Sequence, residues 1–549
     1  MPHSNNSAPE QTQSDSHTAY KNWPNDAAFE SSVEHREPIE LKVIGRFPAE
    51  VTGTLFRNGP SSYKVDSATG GYSRSHWFDG FAQLHRFEII RSTDGTCRVL
   101  YTSRRQVDAL VEEARRTGDL KYISFGQKRD PCETFFHKVK TVFQPTAPPS
   151  NRPELFNVGV TVVANMPGML KYGPADSKDS RFKVLSCLTD ANQISHAHPE
   201  TLEPVAASTQ QMLHPDLKGP MTCAHPQYDP ITGDLYNFNL NFGPKATYRI
   251  FKTSAATSKT EIIATLSDFK VKPAYLHSFF LTTDYVVFCI WPAYFKGFGA
   301  SILWERNILD AMEFSPDSQT QWFVIDRSGK QGVISRFTSP AFFAFHSINA
   351  YQENHDGVVD VICDIVQYPN MDILHHTYYD GLLSTHCGDE PGSVQMSSSP
   401  RTARYRLPNV SQKRTNPRSA EKVFEMQTGD LPAINPRFVN RRARYHYCTV
   451  SRGYSSFVDA IGKVDMETQE MTVWGREPAP HTPGEAVFIP DGTDEAEDAG
   501  YLLSVVLNGE SGTSYLVCLD ARTMTEIGRA ECDHAISIGL HGKHYHHEE

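Results

Sequence analysis

The chain has 549 residues, with 53 Lys and Arg against 64 Asp and Glu and a formal net charge of −11, a balance that argues against nucleic acid as its main partner. Its longest apolar run, residues 285–295, is broken by Pro292 and is well short of the roughly 20 residues a spanning helix needs. The ten cysteines are scattered with no C-x-x-C pair, and no apolar leader is evident, which predicts a reduced, cytoplasmic setting.

In chain order, residues 1–20 are polar and rich in Ser, Asn and Gln, and are expected to form a disordered tail. Residues 21–549 read as one domain. Short alternating runs at 83–90, 97–104, 183–188, 235–242, 285–290, 358–366, 445–450, 501–507 and 514–519 are separated by Gly, Pro, Asp and Ser clusters. That is the pattern of an all-β sandwich, barrel or propeller. In 235–242, Tyr236, Phe238, Leu240 and Phe242 share one face while Asn237, Asn239 and Asn241 share the other, which predicts a half-buried strand. Only 106–116 and 300–312 read as amphipathic helices, and the polar stretch 388–422 reads as a surface excursion. No tight internal repeat is visible, so a propeller here would have irregular blades and long loops.

Of the 23 histidines, four lie in apolar contexts beside predicted strands: His225 in "AHPQYDP", His277 in "LHSFFLTTDYVVF", His346 in "FHSINAYQE" and His541 in "GLHGKHY". Two readings stand on pattern alone. The four are independent core histidines bonded to nearby carbonyls, or a closed β scaffold gathers them around iron, copper, zinc or nickel. There is no H-E-x-x-H motif and no Ser/His/Asp or Cys/His arrangement, so neither a zincin nor a hydrolase is indicated.

These motifs, taken with "GTLFRNGPSSY", "HWFDGFAQLHRF", "DLPAINP" and "GEAVFIPDGTDEAEDAGYLLSVVLN", resemble in content and order the carotenoid cleavage oxygenases. The resemblance implies a seven-bladed β-propeller with a dome of helices and loops over one face. It also implies one iron(II) per chain, held by His225, His277, His346 and His541. Three carboxylates are expected behind the ligands, each fixing an imidazole's tautomer and orientation: Glu485 behind His541, Asp190 behind His277 and Asp430 behind His346. The family's usual residue at the last two positions is Glu. Asp is one methylene shorter, a reach lower by on the order of 1 Å, so a bridging water or a plain turn-capping role are the alternatives there. His76 and His85 are expected to be scaffold residues. His375, His376, His446, His544, His546 and His547 are expected to face solvent.

The implied reaction adds both atoms of dioxygen across a carbon–carbon double bond to give two carbonyl products, with no side chain acting as general acid or base. The stilbene-cleaving branch would place Lys128 and the residue at Thr189 on a phenol. A Thr at 189 instead resembles carotenoid-processing members, where it crowds one open iron position. The stretch from Tyr20 to Val65 further resembles fungal torulene-cleaving members. The expected partners are therefore dioxygen and a long apolar polyene, with no protein partner indicated. Phe279, Phe280, Trp291, Phe343 and Phe345 are expected to line an apolar tunnel. The segment 289–312, led by Tyr294 and Phe295 and bordered by Lys296 and Arg306, is expected to dock on a membrane or lipid droplet. A stilbene cleaver, or a non-catalytic or isomerising lipid-binding relative, are the alternatives.

Overall fold

The computed structural model describes residues 22–547 apart from 68–69, 94, 130–134, 143, 150, 387–397 and 413–415. The expected tail at 1–20 and most of the first third of the 388–422 stretch lie outside the described residues. The alternating runs become antiparallel strands that pair with their neighbours in sequence. Four-stranded sheets are built from strands within 161–208, 227–267, 343–427 and 430–474, and a five-stranded sheet from 280–339 with an added parallel strand at Arg418–Ser419. A ten-stranded sheet combines strands from 39–105 with strands from 481–546. The arrangement is all-β and propeller-like, the geometry by which short strands avoid long open edges.

The two ends of the chain close it. Ile39–Gly45 pairs with Thr525–Glu531, and Gly53–Pro60 pairs with the last strand, His541–His546, placing Asn58 opposite His541. A close backbone approach holds this junction: a Cβ on Gly59 would collide with the backbone of Gly539 and Leu540, so only glycine fits.

Apolar faces of neighbouring sheets pack into several buried clusters. The largest spans Met221 to Ala420 and includes Trp291, Trp322, Phe279, Phe280 and Phe343. Strand Leu235–Asn241 is buried on both faces rather than one. Asn239 donates to the Gln210 side chain and the Gly219 carbonyl (both 3.0 Å), and Asn237 to the Cys223 carbonyl (3.1 Å). Alternation therefore reported strand geometry while long connections covered the polar face.

Helix Asp108–Thr117 forms as expected, burying Leu110, Val111 and Ala114 and ending at Gly118 with φ 68°. Residues 300–312 do not form one helix. A five-residue helix, Ser301–Glu305, stops at Arg306 (φ 59°), and the chain returns as strand Met312–Phe314 paired with Ala293–Phe295. The 388–422 stretch is also not wholly an excursion: Arg401–Leu407 pairs with a strand on each side, its arginines absorbed by carboxylates such as Asp364, 2.7 Å from Arg404. No helix among the described residues is long and apolar enough to cross a membrane.

Candidate metal centre

Each of the four singled-out histidines sits at the edge strand of a different sheet, the strand that faces the middle of a propeller-like ring. His225 precedes Gln227–Tyr228, His277 precedes Phe280–Leu281, His346 lies in Phe343–His355, and His541 opens the final strand. At His346 the ladder shifts register between Ala344 and Ser347; such a bulge re-aims a side chain out of the pleat. The four ligand nitrogens lie within 4.8 Å of one another. Ring centroids separate by 4.3 Å for His225 and His541, and by 5.1 Å for His346 and His541.

Three imidazoles are held from behind. Nδ1 of His277, His346 and His541 lies 2.7 Å from a carboxylate oxygen of Asp190, Asp430 and Glu485 respectively. The two aspartates make direct contact, with no water needed. Each is also braced by a tyrosine. Tyr275 donates to Asp190 Oδ2 and Tyr368 to Asp430 Oδ2, both at 2.6 Å. Asp190 Oδ1 accepts the Ala224 N–H (3.0 Å) and Glu485 Oε2 the Gly542 N–H (2.7 Å). Behind Glu485, the buried Arg57 donates to the carbonyls of Glu485 (3.1 Å) and Ile538 (3.0 Å).

Burial pushes Asp430 and Glu485 upward, yet both stay below the usual carboxylate range because His346 and His541 beside them favour the ionised form. Tyr275 and Tyr368 are pushed far up, first by burial and then by their aspartates, so they stay protonated donors. Burial, and then the three neighbouring rings, hold His225 well below its ordinary value, and burial outweighs Glu485 at His541. Both shifts favour the neutral imidazole at His225 and His541.

That donor set fits a cation. Because Nδ1–H of His346 and His541 is given to a carboxylate, each Nε2 carries a bare lone pair, and those two atoms lie 3.3 Å apart. Neither can donate to the other. Two lone pairs converge on one point, and a metal ion accepts both.

A cavity of about 1150 Å³ opens onto His277, His346 and His541, slightly above the roughly 300–1,000 Å³ usual for small-molecule sites. Thr189 and Phe345 line it beside the histidines, with Phe78, Phe125 and Ile302 further out.

A family model described as "Retinal pigment epithelial membrane protein" matches residues 28–546. A carotenoid dioxygenase of Neurospora crassa is 40% identical over 96% of this chain and 91% of its own length. The chain belongs to the retinal pigment epithelial membrane protein/carotenoid oxygenase family. A torulene dioxygenase of Fusarium fujikuroi is 41% identical over 96% of this chain and 94% of its own. Among solved structures, cobalt-substituted apocarotenoid oxygenase of Synechocystis matches with a TM-score of 0.71 at 21% identity, over 96% of this chain and 99% of that one.

Within this carotenoid oxygenase, several expected positions need correction. Phe279, Phe280, Trp291 and Phe343 do not line the cavity; each is core, at most 2% exposed, leaving Phe345 as the one of the five on the wall. Tyr294 and Phe295 are buried by the Ala293–Phe295 strand pairing. Lys128 is exposed, bound to Asp380 at 2.8 Å, and not on the cavity wall. His446 is fully buried, with Nε2 at 3.1 Å from Thr402 Oγ1. His376, His544 and His547 are half-buried, His544 meeting the Val51 carbonyl and His547 the Thr54 hydroxyl, while His375 and His546 are exposed. His76 and His85 are buried scaffold residues as expected, bonded to Leu374 and Thr377 and to Tyr101 and Ser537.

Sequence reasoning missed Tyr275, Tyr368 and Arg57. Tyr275 left a faint signal, two residues before His277 in an extended segment and so on the same side. Tyr368 left none, since the fold alone brings it to Asp430.

Proposed function

We propose that this carotenoid oxygenase is a non-haem iron(II) dioxygenase that cleaves a carbon–carbon double bond of a carotenoid or apocarotenoid, a torulene-like polyene. The observation that carries the reading is the four-histidine cluster, three rings backed by carboxylates, at the floor of a deep, largely apolar cavity. The 40–41% identity to carotenoid and torulene dioxygenases supports the same substrate class. In this reading His225, His277, His346 and His541 hold one iron per chain, and Asp190, Asp430 and Glu485 fix the rings. The ten-stranded sheet counts as two blades meeting where Ile39–Gly45 pairs with Thr525–Glu531, which with the other five makes seven.

When bound, ferrous iron supplies the redox chemistry by which both atoms of dioxygen add across one double bond, giving two carbonyl products. The chain's own part is geometric. Carboxylates hold the Nδ1–H of His277, His346 and His541 so that the Nε2 atom of each presents a lone pair. Thr189 crowds one side of the centre, leaving a restricted space for dioxygen. Phe345, Phe78 and Phe125 press against the polyene and exclude water. No side chain moves a proton in the step, since none is released.

A polyene arrives from a lipid phase, and we place the docking surface at the cavity mouth, on a cytoplasmic protein bound peripherally. Phe298 (47% exposed) and Leu303 (39%) both line the cavity and face outward, with Val139 exposed on a neighbouring helix that carries Lys138 and Lys140. Apolar side chains among lysines suit a lipid interface. This replaces Tyr294 and Phe295.

Oxygen uptake by the iron-loaded protein on torulene, β-carotene and resveratrol tests the reading. Uptake with a polyene and not resveratrol is expected. Uptake with resveratrol alone would select the stilbene reading, and none with any would leave an isomerising or lipid-binding relative.

A further inference from the structure

Away from the four-histidine centre, one further set of metal-ligating side chains comes together among the described residues. His35, Asp533 and His534 offer ligand atoms within 4.8 Å of one another. They come from two segments whose backbones are fixed independently. His35 lies ahead of strand Ile39–Gly45, its N–H given to Ser103 Oγ (3.0 Å) and its carbonyl taking the Ser103 N–H (2.8 Å). Asp533 and His534 follow strand Thr525–Glu531, and the His534 carbonyl takes the Ser514 N–H at 2.9 Å. The site is therefore organised before any ligand arrives.

Its donors are two imidazoles and a carboxylate. Asp533 Oδ1 and His534 Nδ1 already converge to 2.9 Å, and a cation taken up between them displaces the ring proton. Across from it, at a ring separation of 4.7 Å, His35 Nε2 is buried and has no hydrogen-bond partner. A buried nitrogen left unmet is costly, and this one belongs to a group whose ligand atoms lie within 4.8 Å of one another. Cys532 Sγ, 3.1 Å from His534 Nδ1, puts a soft donor at the rim.

We propose that His35, Asp533 and His534 form a second site for a borderline divalent metal of the zinc class, fastening the segment ahead of the first strand to the loop that leads into His541. Two imidazoles with a carboxylate, and a thiol at the edge, favour zinc, nickel or copper over magnesium or calcium. Three protein ligands leave an outward position for water, because Asp533 is 91% exposed. The anchored loop continues to Ser537, whose hydroxyl is 2.9 Å from His85 Nε2, and then to His541. This inference does not depend on the proposed reaction.

The test is zinc titration of the iron-loaded protein, reading bound zinc and iron together by elemental analysis after equilibrium dialysis. About one zinc beyond the iron is expected, with iron content unchanged. His35→Gln and His534→Gln should each weaken zinc binding at least 10-fold, and His546→Gln/His547→Gln should not. Asp533→Asn, an exposed substitution, should also weaken it and serves if a histidine variant does not fold. The inference is overturned by no zinc beyond the iron, by zinc gained as iron is lost, by retention in His35→Gln, or by loss only in the C-terminal pair.

Discussion

Tyr275 and Tyr368 explain how aspartate serves where a longer carboxylate is usual. An Asp held only by the imidazole it supports would swing, because its second oxygen would be free. In Asp430 that oxygen takes the Tyr368 hydroxyl at 2.6 Å; in Asp190 it takes the Ala224 N–H at 3.0 Å, and the Tyr275 hydroxyl, also at 2.6 Å, steadies Oδ2 beside His277. Hydrogen bonds to a charged group are worth roughly 1.5–3 kcal/mol, so Tyr275→Phe should weaken iron retention or turnover by roughly 10-fold, the low end of the range for outer partners of a metal ligand. Asp190→Glu in that background should recover most of it, since the vacated hydroxyl leaves room for the extra methylene. Iron content of purified variants, compared with oxygen uptake, checks both; a Tyr275→Phe variant equal to wild type would make the phenol a bystander. His446 tests the opposite case. Its burial holds it at a pKa of about 3 and ties it to Thr402, far in role from the centre. His446→Ala should keep its iron but melt earlier, by the cost of a cavity and a lost bond, about 2–4 kcal/mol. His346→Ala should lose the iron.

At the scale of elements, the aromatic segment 289–312 shows what pattern can and cannot tell. Its apolar residues announce burial or an interface, but the choice between them depends on a strand pair, Ala293–Phe295 with Met312–Phe314, that local sequence does not encode. That pair buries Tyr294 and Phe295, while the left-handed backbone at Gly297 and Phe298 turns Phe298 outward. Each large apolar side chain moved from water into lipid contributes roughly 1.5–3 kcal/mol. Phe298→Ser/Leu303→Ser should therefore lower partitioning onto liposomes on the order of 10-fold or more and slow cleavage of bilayer-borne polyene. Cleavage of detergent-solubilised polyene should change much less. Equal loss with both presentations would mean that these residues shape the cavity rather than dock it. The same limit explains the tunnel: Phe279, Phe280, Trp291 and Phe343 sit between sheets, and only Phe345, carried on the bulge with His346, reaches the wall. Strand positions were legible from period-two alternation. Which face meets solvent was not, since the connection ahead of Leu235–Asn241, through Gln210, Gly219 and Cys223, covers its polar face.

For the whole molecule, the ring form turns residues hundreds of positions apart into neighbours. His225 and His541 are 316 residues apart in sequence and meet with Nε2 atoms 3.1 Å apart. Pairing of Gly53–Pro60 with His541–His546 sets His541 opposite Asn58, so the fourth histidine is in place only once these two distant strands have met. The four histidines stood out by their apolar, strand-flanking contexts, but gathering them into one centre, with three carboxylates behind them, rested on the resemblance to the carotenoid cleavage oxygenases and not on local pattern. The tyrosines and Arg57 were not readable, because only closure of the ring gives them partners. The most direct test of the account is cleavage of torulene by the iron-loaded protein under ¹⁸O₂, with the carbonyl products trapped before they exchange with water. One labelled oxygen in each of the two products, and one dioxygen consumed per bond broken, is the predicted result. Label in only one product, or a converted polyene with no dioxygen consumed, would contradict it.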